Sequence, residues 1–422
     1  MKISVIGIGG VGYSMTNILA AAGFNAIGVD IDPKVLESPS ADASVIRFIK
    51  RYKSKIKENL ILTTDYSQIT GSEFAIVVVN TDFDEKQQQL TTHILEKALK
   101  MLGEHVQTTV IVMSTLPYGA SSRLKSICDA AGLDYCYSPI MVNQGNYVDS
   151  FFKAPFLILG ANDDVGQKVM MFYAQLFQIF RETFPPTYIV SPLTAELTKL
   201  IANAFLSTKL SYANYVGGLC EKVSKIEGQP VDANLILHII GNDPRIGSRF
   251  LKAGFAFGGG CLPRDLKSLI TSCQQIGSHP EILTAVDRVN AERTRVPIKV
   301  LEMYLDQPRA ITVLGTAYKA GIDDERGSKS VELIEFLKEL GHTVSSYDPN
   351  VPQTKSLSDI LKNTEIVIVT TDEREFSNIG KMLSKKCQVV CDFTITPIVD
   401  SNLLPSHVNL FTAGVGWKRS EK

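Results

Sequence analysis

The chain opens with Lys2-Ile3-Ser4-Val5-Ile6 and runs without a break into Gly7-Ile8-Gly9-Gly10-Val11-Gly12, after which the pattern turns helical. No other stretch limits the fold so tightly. A glycine at 7 permits a sharp turn off a strand, one at 9 lets backbone N–H groups approach a pyrophosphate, and one at 12 lets helix and strand pack closely. Gly10 and Val11 then begin a helix whose positive dipole end faces the phosphates. About 20 residues on, where such folds place a carboxylate on the ribose hydroxyls, stands Asp30. A carboxylate there repels a 2′-phosphate, so the expected dinucleotide is NAD rather than NADP. Asp32 is expected to cap the following segment instead of touching ribose.

The first third continues in the same style. Nearly continuous apolar runs at 3–8, 25–30, 74–79, 109–114 and 156–160 read as strands buried on both faces of a parallel sheet. Helical stretches at 89–101 and 121–131 separate several of them, which predicts a βαβ series and a doubly wound sheet. From 192 to about 300 strand patterns vanish, and 193–223 reads as one helix of unusual length, suited to dimerisation. Strand patterns resume at 310–315, 343–348, 365–370 and 388–392, with a helix at 328–340. The expected α/β architecture is two Rossmann-type domains, 1–190 and 308–422, joined by an all-helical middle, 191–300. The two sheets share a motif pattern without a residue-by-residue repeat, and the tail after Gly416 reads as frayed.

At 422 residues the chain is too long for one ordinary core. With 45% apolar and 21% charged residues and a net charge of −1, it reads as a soluble enzyme with no basic excess for nucleic acid. No run reaches the length of a membrane span, and the opening run is too short and glycine-rich for a signal peptide. Seven scattered cysteines, none in a CxxC pair, point away from a disulfide framework and toward the reducing cytoplasm. With only six scattered histidines, no metal site is expected.

The most informative segment is Phe257-Gly258-Gly259-Gly260-Cys261-Leu262-Pro263-Arg264-Asp265. Three glycines before a cysteine predict an open loop that a substrate can approach. A helix expected at 265–273 would favour a thiolate with its N-terminus. A thiol that adds to an aldehyde gives a thiohemiacetal, and a second hydride loss gives a thioester that water hydrolyses. The other six cysteines, Cys128, Cys136, Cys220, Cys273, Cys387 and Cys391, are read as buried and structural.

This segment resembles the GFGGxCxPKD signature of the UDP-glucose/GDP-mannose dehydrogenase family, with Arg264 for lysine. Asp243-Pro244-Arg245-Ile246-Gly247 resembles its DxRIG, and Lys199-Leu200-Ile201-Ala202-Asn203-Ala204-Phe205 its KLxxNAF helix. Gly315-Thr316-Ala317-Tyr318-Lys319 and Asp323-Asp324-Glu325-Arg326 resemble its GxAFK and DDxR elements. Val79-Asn80-Thr81 and Ser114-Thr115-Leu116-Pro117 fit its two cofactor-side loops. The likeness covers nearly the whole chain in order. It implies NAD-dependent oxidation of the C6 alcohol of a nucleotide sugar to the uronic acid, in a homodimer built on the long helix.

The resemblance also implies roles. Cys261 is the nucleophile. Lys199 and Asn203, one helical turn apart, stabilise the oxyanion of each tetrahedral intermediate and contact substrate. Asp265, with Thr115, orients the hydrolytic water. Thr81, Ser114 and Arg326 join the cofactor side. Gln144, Phe250, Leu251, Gly258 and Lys319 join the substrate side, and Arg245 reaches the partner's site. Without the resemblance, Lys199 and Asn203 read as a solvated helix face, Asp265 as a helix cap, and Arg326 as a surface ion pair.

Three departures fall in the substrate chamber. The family's PEFLxEG reads Pro139-Ile140-Met141-Val142-Asn143-Gln144-Gly145, so both glutamates are lost. Its DGR reads Asp392-Phe393-Thr394, and the EPGL segment is absent. A positioned acid/base group contributes about 10²–10⁴-fold, and isoleucine cannot shuttle protons. The alternatives are therefore an atypical nucleotide sugar, a reaction that stops at the aldehyde, or a weakened NAD- and nucleotide-sugar-binding relative. A simpler β-hydroxyacid-type dehydrogenase needs neither Cys261 nor a second α/β domain.

Overall fold

The computed structural model describes residues 1–418. The chain divides into two compact units, Met1–Ala202 and Asn203–Lys422.

The first unit holds ten strands: β1 (Lys2–Ile6), β2 (Asn25–Val29), β3 (Leu60–Thr63), β4 (Phe74–Val77), β5 (Phe83–Asp84), β6 (Gln89–Leu90), β7 (Thr109–Val112), β8 (Asp134–Tyr137), β9 (Leu157–Gly160) and β10 (Thr187–Val190). Eight of them form one sheet in the order β10-β9-β8-β7-β4-β1-β2-β3, parallel except where β9 meets β8. Successive residues of the inner strands enter opposite cores. Ile3, Val5, Ile76 and Ile111 pack into one apolar cluster, and Ile6, Val77, Val110 and Val112 into the other. A strand covered by helices on both faces has no polar side, which is why these strands read as unbroken apolar runs. Each such side chain contributes about 1.5–3 kcal/mol of burial free energy.

The five expected strands are present, each ending before the turn that follows it. Three further sheet strands had no such signal. β3 and β10 are partly exposed edge strands, and β8 starts at the exposed Asp134, with only Tyr135, Cys136 and Tyr137 as its buried run. The helix expected from residue 89 begins at His93 instead. Gln89 and Leu90 pair with Phe83 and Asp84, and the Asp84 carboxylate closes that hairpin by accepting from the Lys86 and Gln87 N–H groups.

Helix Pro192–Glu227, at 36 residues, is the long helix read from the sequence, a little longer at both ends. At 1.5 Å per residue it spans about 54 Å. It stops where Gly228 takes φ +70° and Pro230 follows.

In the second unit the long helix is followed by helices Ala233–Gly241, Leu262–Gln275, Glu281–Thr294 and Val296–Val300. No strand lies between Pro192 and Val300, as expected. A smaller sheet then forms from β11 (Ala310–Leu314), β12 (Thr343–Tyr347), β13 (Ile366–Val369), β14 (Val389–Asp392), β15 (Asn409–Thr412) and β16 (Gly416–Lys418). Its order is β12-β11-β13-β14-β15-β16, all parallel but for the last pair. The tail corrects one expectation. Gly416–Lys418 is a paired strand rather than frayed chain, with the Trp417 ring edge-on to Phe411 at 5.3 Å. Only residues 419–422 of that tail lie outside the described residues.

The two sheets share a turn that the sequence does not repeat letter for letter. Gly7 and Gly315 leave their first strands at φ +92° and +95°. Asp30 accepts from the Ile8 N–H at 2.7 Å, and Asp348 from the Thr316 and Ala317 N–H groups at 2.9 and 3.0 Å. In each case a carboxylate after the second strand ties down the glycine turn after the first.

Candidate active site

In the first sheet β1 lies between β2 and β4, so the strand order reverses beside it and a crevice opens at its carboxyl end. The glycines there divide by what surrounds them. A Cβ on Gly7 would lie 2.5 Å from the Val78 carbonyl, and one on Gly12 would collide with the Gly7 carbonyl. Gly9 has nothing within 4 Å. It is the N-cap of helix Gly10–Ala21 and supplies no side-chain cap, so that helix presents bare N–H groups to open space. The Asp30 oxygens accept from Ile8 and Asp32 N–H and remain partly exposed, with lone pairs to spare for hydroxyl donors. This donor set fits a dinucleotide. Asp32 caps helix Pro33–Glu37 through the Lys34 N–H, as expected.

The loops after β4 and β7 meet the same edge. The Ser114 hydroxyl donates to the Val79 carbonyl at 2.6 Å, Thr81 is buried, and Thr115 is half-buried. Two residues of this edge carried no signal in the sequence. The Tyr147 ring covers Gly10, whose Cβ would lie 2.7 Å from it. Glu196, fully buried on the long helix, accepts from the Gly119 and Ser121 N–H groups where helix Ala120–Ala130 begins. Burial raises the Glu196 carboxyl above its ordinary value, against the pull of those hydrogen bonds.

Lys199, one turn further along, is buried, and its ammonium donates to the Ile140 carbonyl at 3.0 Å. Position 140 therefore meets Lys199 through its main chain. The isoleucine side chain packs, half-buried, against the apolar cluster on that face. Gln144 is likewise half-buried in the segment that follows.

In the second unit, Cys261 is exposed and is itself the N-cap of helix Leu262–Gln275. That helix begins three residues earlier than expected, because Pro263 suits its first turn, and the thiol sits directly at its positive end. The Cys261 carbonyl accepts from the Asp265 N–H at 2.9 Å. Asp265 is fully buried. Its two oxygens accept from Asn203 Nδ2 at 2.6 Å and Arg264 Nε at 3.1 Å.

The glycine run is less open than its composition suggests. A Cβ on Gly258 would lie 2.5 Å from the Gly327 carbonyl, and one on Gly259 2.6 Å from the Tyr318 ring. Only Gly260 faces open space. Two of the three glycines thus serve the protein's own packing. Five of the remaining cysteines are buried, and burial pushes the thiols of Cys128, Cys136 and Cys387 up to about 12. Cys273 departs from the expectation, being half-exposed.

Among the substrate-side candidates, Leu251 is a correction. Its side chain is buried with Ala213, Leu237 and Ala253, which leaves only its main chain for a ligand. Phe250 is exposed at φ +60°, a conformation that L side chains rarely adopt. The Arg245 side chain is 87% exposed and forks onto Asp243, with Nη2 2.6 Å from Oδ2. Arg326 forks in the same way onto Asp324 at 2.7 Å, and Lys319 is exposed. Where the family has DGR, Asp392 is spent on its own loop, accepting from Thr394, Ile398 and Val399 N–H. Phe393 is core.

Comparison with known proteins agrees along the chain. Sequence models of the UDP-glucose/GDP-mannose dehydrogenase family match residues 1–181 as its NAD binding domain, 193–292 as its central domain, and 312–397 as its UDP binding domain. The chain is 29% identical over 412 residues to the UDP-glucose 6-dehydrogenase AglM of Haloferax volcanii, covering 89% of this chain and 92% of that one. It is 28% identical over 400 residues to UDP-glucose 6-dehydrogenase TuaD of Bacillus subtilis, covering 88% and 83%. A solved UDP-glucose dehydrogenase from Pyrobaculum islandicum superposes with TM-score 0.84 at 25% identity, over 99% of this chain and 98% of that one. The UDP-D-ManNAc dehydrogenase of Pyrococcus horikoshii, at 22% identity, shares the fold with TM-score 0.82 over 98% and 99%. With three domain models matched in order, a dinucleotide turn at the head of the first sheet and a cysteine-capped helix in the middle, the chain belongs to the UDP-glucose/GDP-mannose dehydrogenase family and is a nucleotide-sugar dehydrogenase that takes NAD as its cofactor.

Proposed function

We propose that the chain oxidises the C6 alcohol of a UDP-glucose-like nucleotide sugar to the uronic acid in two hydride transfers, with Cys261 carrying the intermediate. The observation that bears most weight is the placement of an exposed thiol as the N-cap of helix Leu262–Gln275, next to Gly260, which faces open space. NAD would be held by Gly7–Gly12 and Asp30 with Thr81, Ser114 and Arg326, and would supply the hydride acceptor for both oxidations. In the first oxidation the alcohol would lose its C6 hydride to the cofactor and its hydroxyl proton to solvent, becoming the aldehyde. The Cys261 sulfur then bonds to the aldehyde carbon. Lys199 and Asn203 donate to the oxygen that becomes negative. Loss of a second hydride from the thiohemiacetal carbon would give the thioester. Water held by Asp265 and Thr115 attacks it, and the acid departs as the thiol is restored.

Domain roles follow: 1–190 for NAD, 191–300 for the thiol and the dimer contact, 308–422 for the sugar nucleotide, with Lys319, Gln144, Phe250 and the main chains of Leu251 and Gly258 as further substrate contacts. The family-model boundaries support this division. Phe205, Tyr212, Leu219 and Ile226 recur every seven residues on the long helix and are all exposed, as is Tyr215. Such a seam favours pairing of two long helices, a homodimer in which Arg245 reaches the partner's site. Sedimentation of Leu219→Asp checks it; an unchanged oligomer would remove this reading. Seven free cysteines favour action in a reducing cytoplasm.

The test is the yield of NADH per sugar across a panel of nucleotide sugars. Two NADH per sugar, and loss of acid formation in Cys261→Ser, are expected. One NADH per sugar would favour a reaction that ends at the aldehyde, a reading to which the loss of the acid/base glutamate at Ile140 gives weight. No NADH with any sugar would sink the proposal.

A further inference from the structure

The segment that leads to Cys261 is buried over much of its length yet belongs to no helix or strand. Main-chain groups withdrawn from water need partners, and here most of them come from side chains. Asn234 accepts from the Ala253 N–H at 2.8 Å and donates to its carbonyl at 3.3 Å. Asn214 accepts from Gly254 N–H at 2.9 Å and donates to the Phe255 carbonyl at 3.2 Å. Arg293 Nε donates to the Gly254 carbonyl at 2.7 Å. Asn290 closes the series by accepting from Phe257 N–H and donating to the Phe257 carbonyl, both at 2.9 Å.

A carboxamide offers one acceptor and its donors in the same plane as a peptide group does. Three asparagines from three helices therefore stand in for the neighbouring strand that this segment lacks. Asn290 and Arg293 are 3% exposed and Asn214 5%, so these bonds do not compete with bulk water. Beyond Phe257 come three glycines, which have no side chains to anchor, and a single main-chain bond from Gly259 N–H to Gly327 at 3.1 Å. The last side-chain anchor before the thiol is thus Asn290.

We propose that Asn290, with Asn214 and Asn234 behind it, is a positioning residue that fixes the approach of the Cys261 sulfur. The inference rests on the reading of Cys261 as nucleophile. It adds that the accuracy of attack is set by carboxamides that touch neither substrate nor cofactor.

The test compares Asn290→Ala with Asn290→Asp. The aspartate keeps the shape and still accepts from Phe257 N–H, but its carboxylate cannot donate to the Phe257 carbonyl. Displacing a reacting group by about 1 Å costs on the order of 10²-fold, so kcat is expected to fall about 10- to 100-fold in Asn290→Ala and at least as far in Asn290→Asp, whose buried carboxylate faces the Phe257 carbonyl. KM for the nucleotide sugar and the NAD dissociation constant should stay within about threefold, because uniform binding is untouched. Alkylation of Cys261 by iodoacetamide should change in rate, because the segment that presents the sulfur is no longer tied at Phe257, and an unchanged rate would overturn the proposal. Buried Cys128 and Cys387 report any general opening of the fold and should stay protected. An unchanged kcat in both variants would overturn the proposal. So would a loss of kcat accompanied by alkylation of Cys128 and Cys387, since the asparagine would then be holding the fold together and no more. Alkylation needs no turnover, so the clamp is tested even if Cys261→Ser still forms acid, a result that would sink the nucleophile reading alone.

Discussion

Asn203 Nδ2 lies 2.6 Å from Asp265 Oδ2, joining the long helix to the first turn of the helix that Cys261 caps. The carboxylate has no exposed surface, and its other oxygen accepts from Arg264 at 3.1 Å. Asp265 is thus an acceptor held by two donors, and it ties the long helix to the turn that carries Cys261.

Asp265→Asn keeps the shape and removes the charge. With Arg264 left unpaired and an amide facing an amide, kcat should fall about 10²- to 10³-fold while NAD binding holds. Because the water step would fail first, intact mass should show an acyl group on Cys261. Asn203→Asp should be worse, since two buried carboxylates at that distance cannot both ionise. Wild-type kcat in Asp265→Asn would remove the residue from the chemistry.

Lys199 donates to the main-chain carbonyl of Ile140, so that bond does not depend on the side chain at 140. Ile140→Ala should therefore keep kcat within about tenfold, the loss coming from packing alone. Lys199→Met leaves the carbonyl without its donor and the oxyanion without its cation, and should cost at least about 10²-fold. Equal losses in the two variants would mean that the isoleucine itself shapes the reacting geometry.

The dinucleotide turn separates two kinds of glycine. A methyl group at Gly12 meets the Gly7 carbonyl, main chain that cannot move aside. Gly12→Ala should abolish NAD binding. A methyl group at Gly10 meets only the Tyr147 ring, 2.7 Å away, and a side chain can be cut back. Gly10→Ala should weaken NAD binding about tenfold or more, and Tyr147→Ala in the same chain should restore most of it. Titration by NADH fluorescence reads both. Failure of the second change to rescue the first would mean that Gly10 is needed by the cofactor rather than by Tyr147.

The parts legible in the sequence were those fixed by local rules. The doubly buried strands, the glycine turn, the 36-residue helix and the cap at Asp32 each follow from a short window of residues. What stayed hidden depends on partners far along the chain. β8 reads poorly because its buried run is only Tyr135, Cys136 and Tyr137, and β16 looked like tail because three residues ending in Trp417-Lys418 carry no period. Gly258 and Gly259 looked like room for substrate, but the space is taken by Gly327 and Tyr318, about sixty residues away. Glu196, Tyr147, Asn214 and Asn290 are ordinary letters in the sequence. Their roles arise only when folding brings uncapped N–H groups, a bare glycine or an unpaired segment against them.

Glu196 gives the clearest dependence on pH. Its carboxyl is raised above the ordinary value of a glutamate, first because it is buried, with the Gly119 and Ser121 N–H bonds opposing. A carboxyl raised by folding binds its proton more tightly in the native state than in the unfolded chain. Between the two values the native state holds more protons, so stability falls as pH rises through that window and is level beyond it. Glutamine at 196 keeps one acceptor oxygen for one of the two N–H groups and does not titrate, so the bond it loses is a constant offset at every pH. The difference in Tm between Glu196→Gln and the parent should therefore move in favour of the variant from pH 4 to pH 7. The comparison is made by thermal melts in matched buffers, with Asp32→Asn as a control on an exposed cap. A difference that stays flat over that range, or moves the other way, would mean that the N–H bonds outweigh burial and that the charge on Glu196 supports the start of helix Ala120–Ala130 instead of straining it.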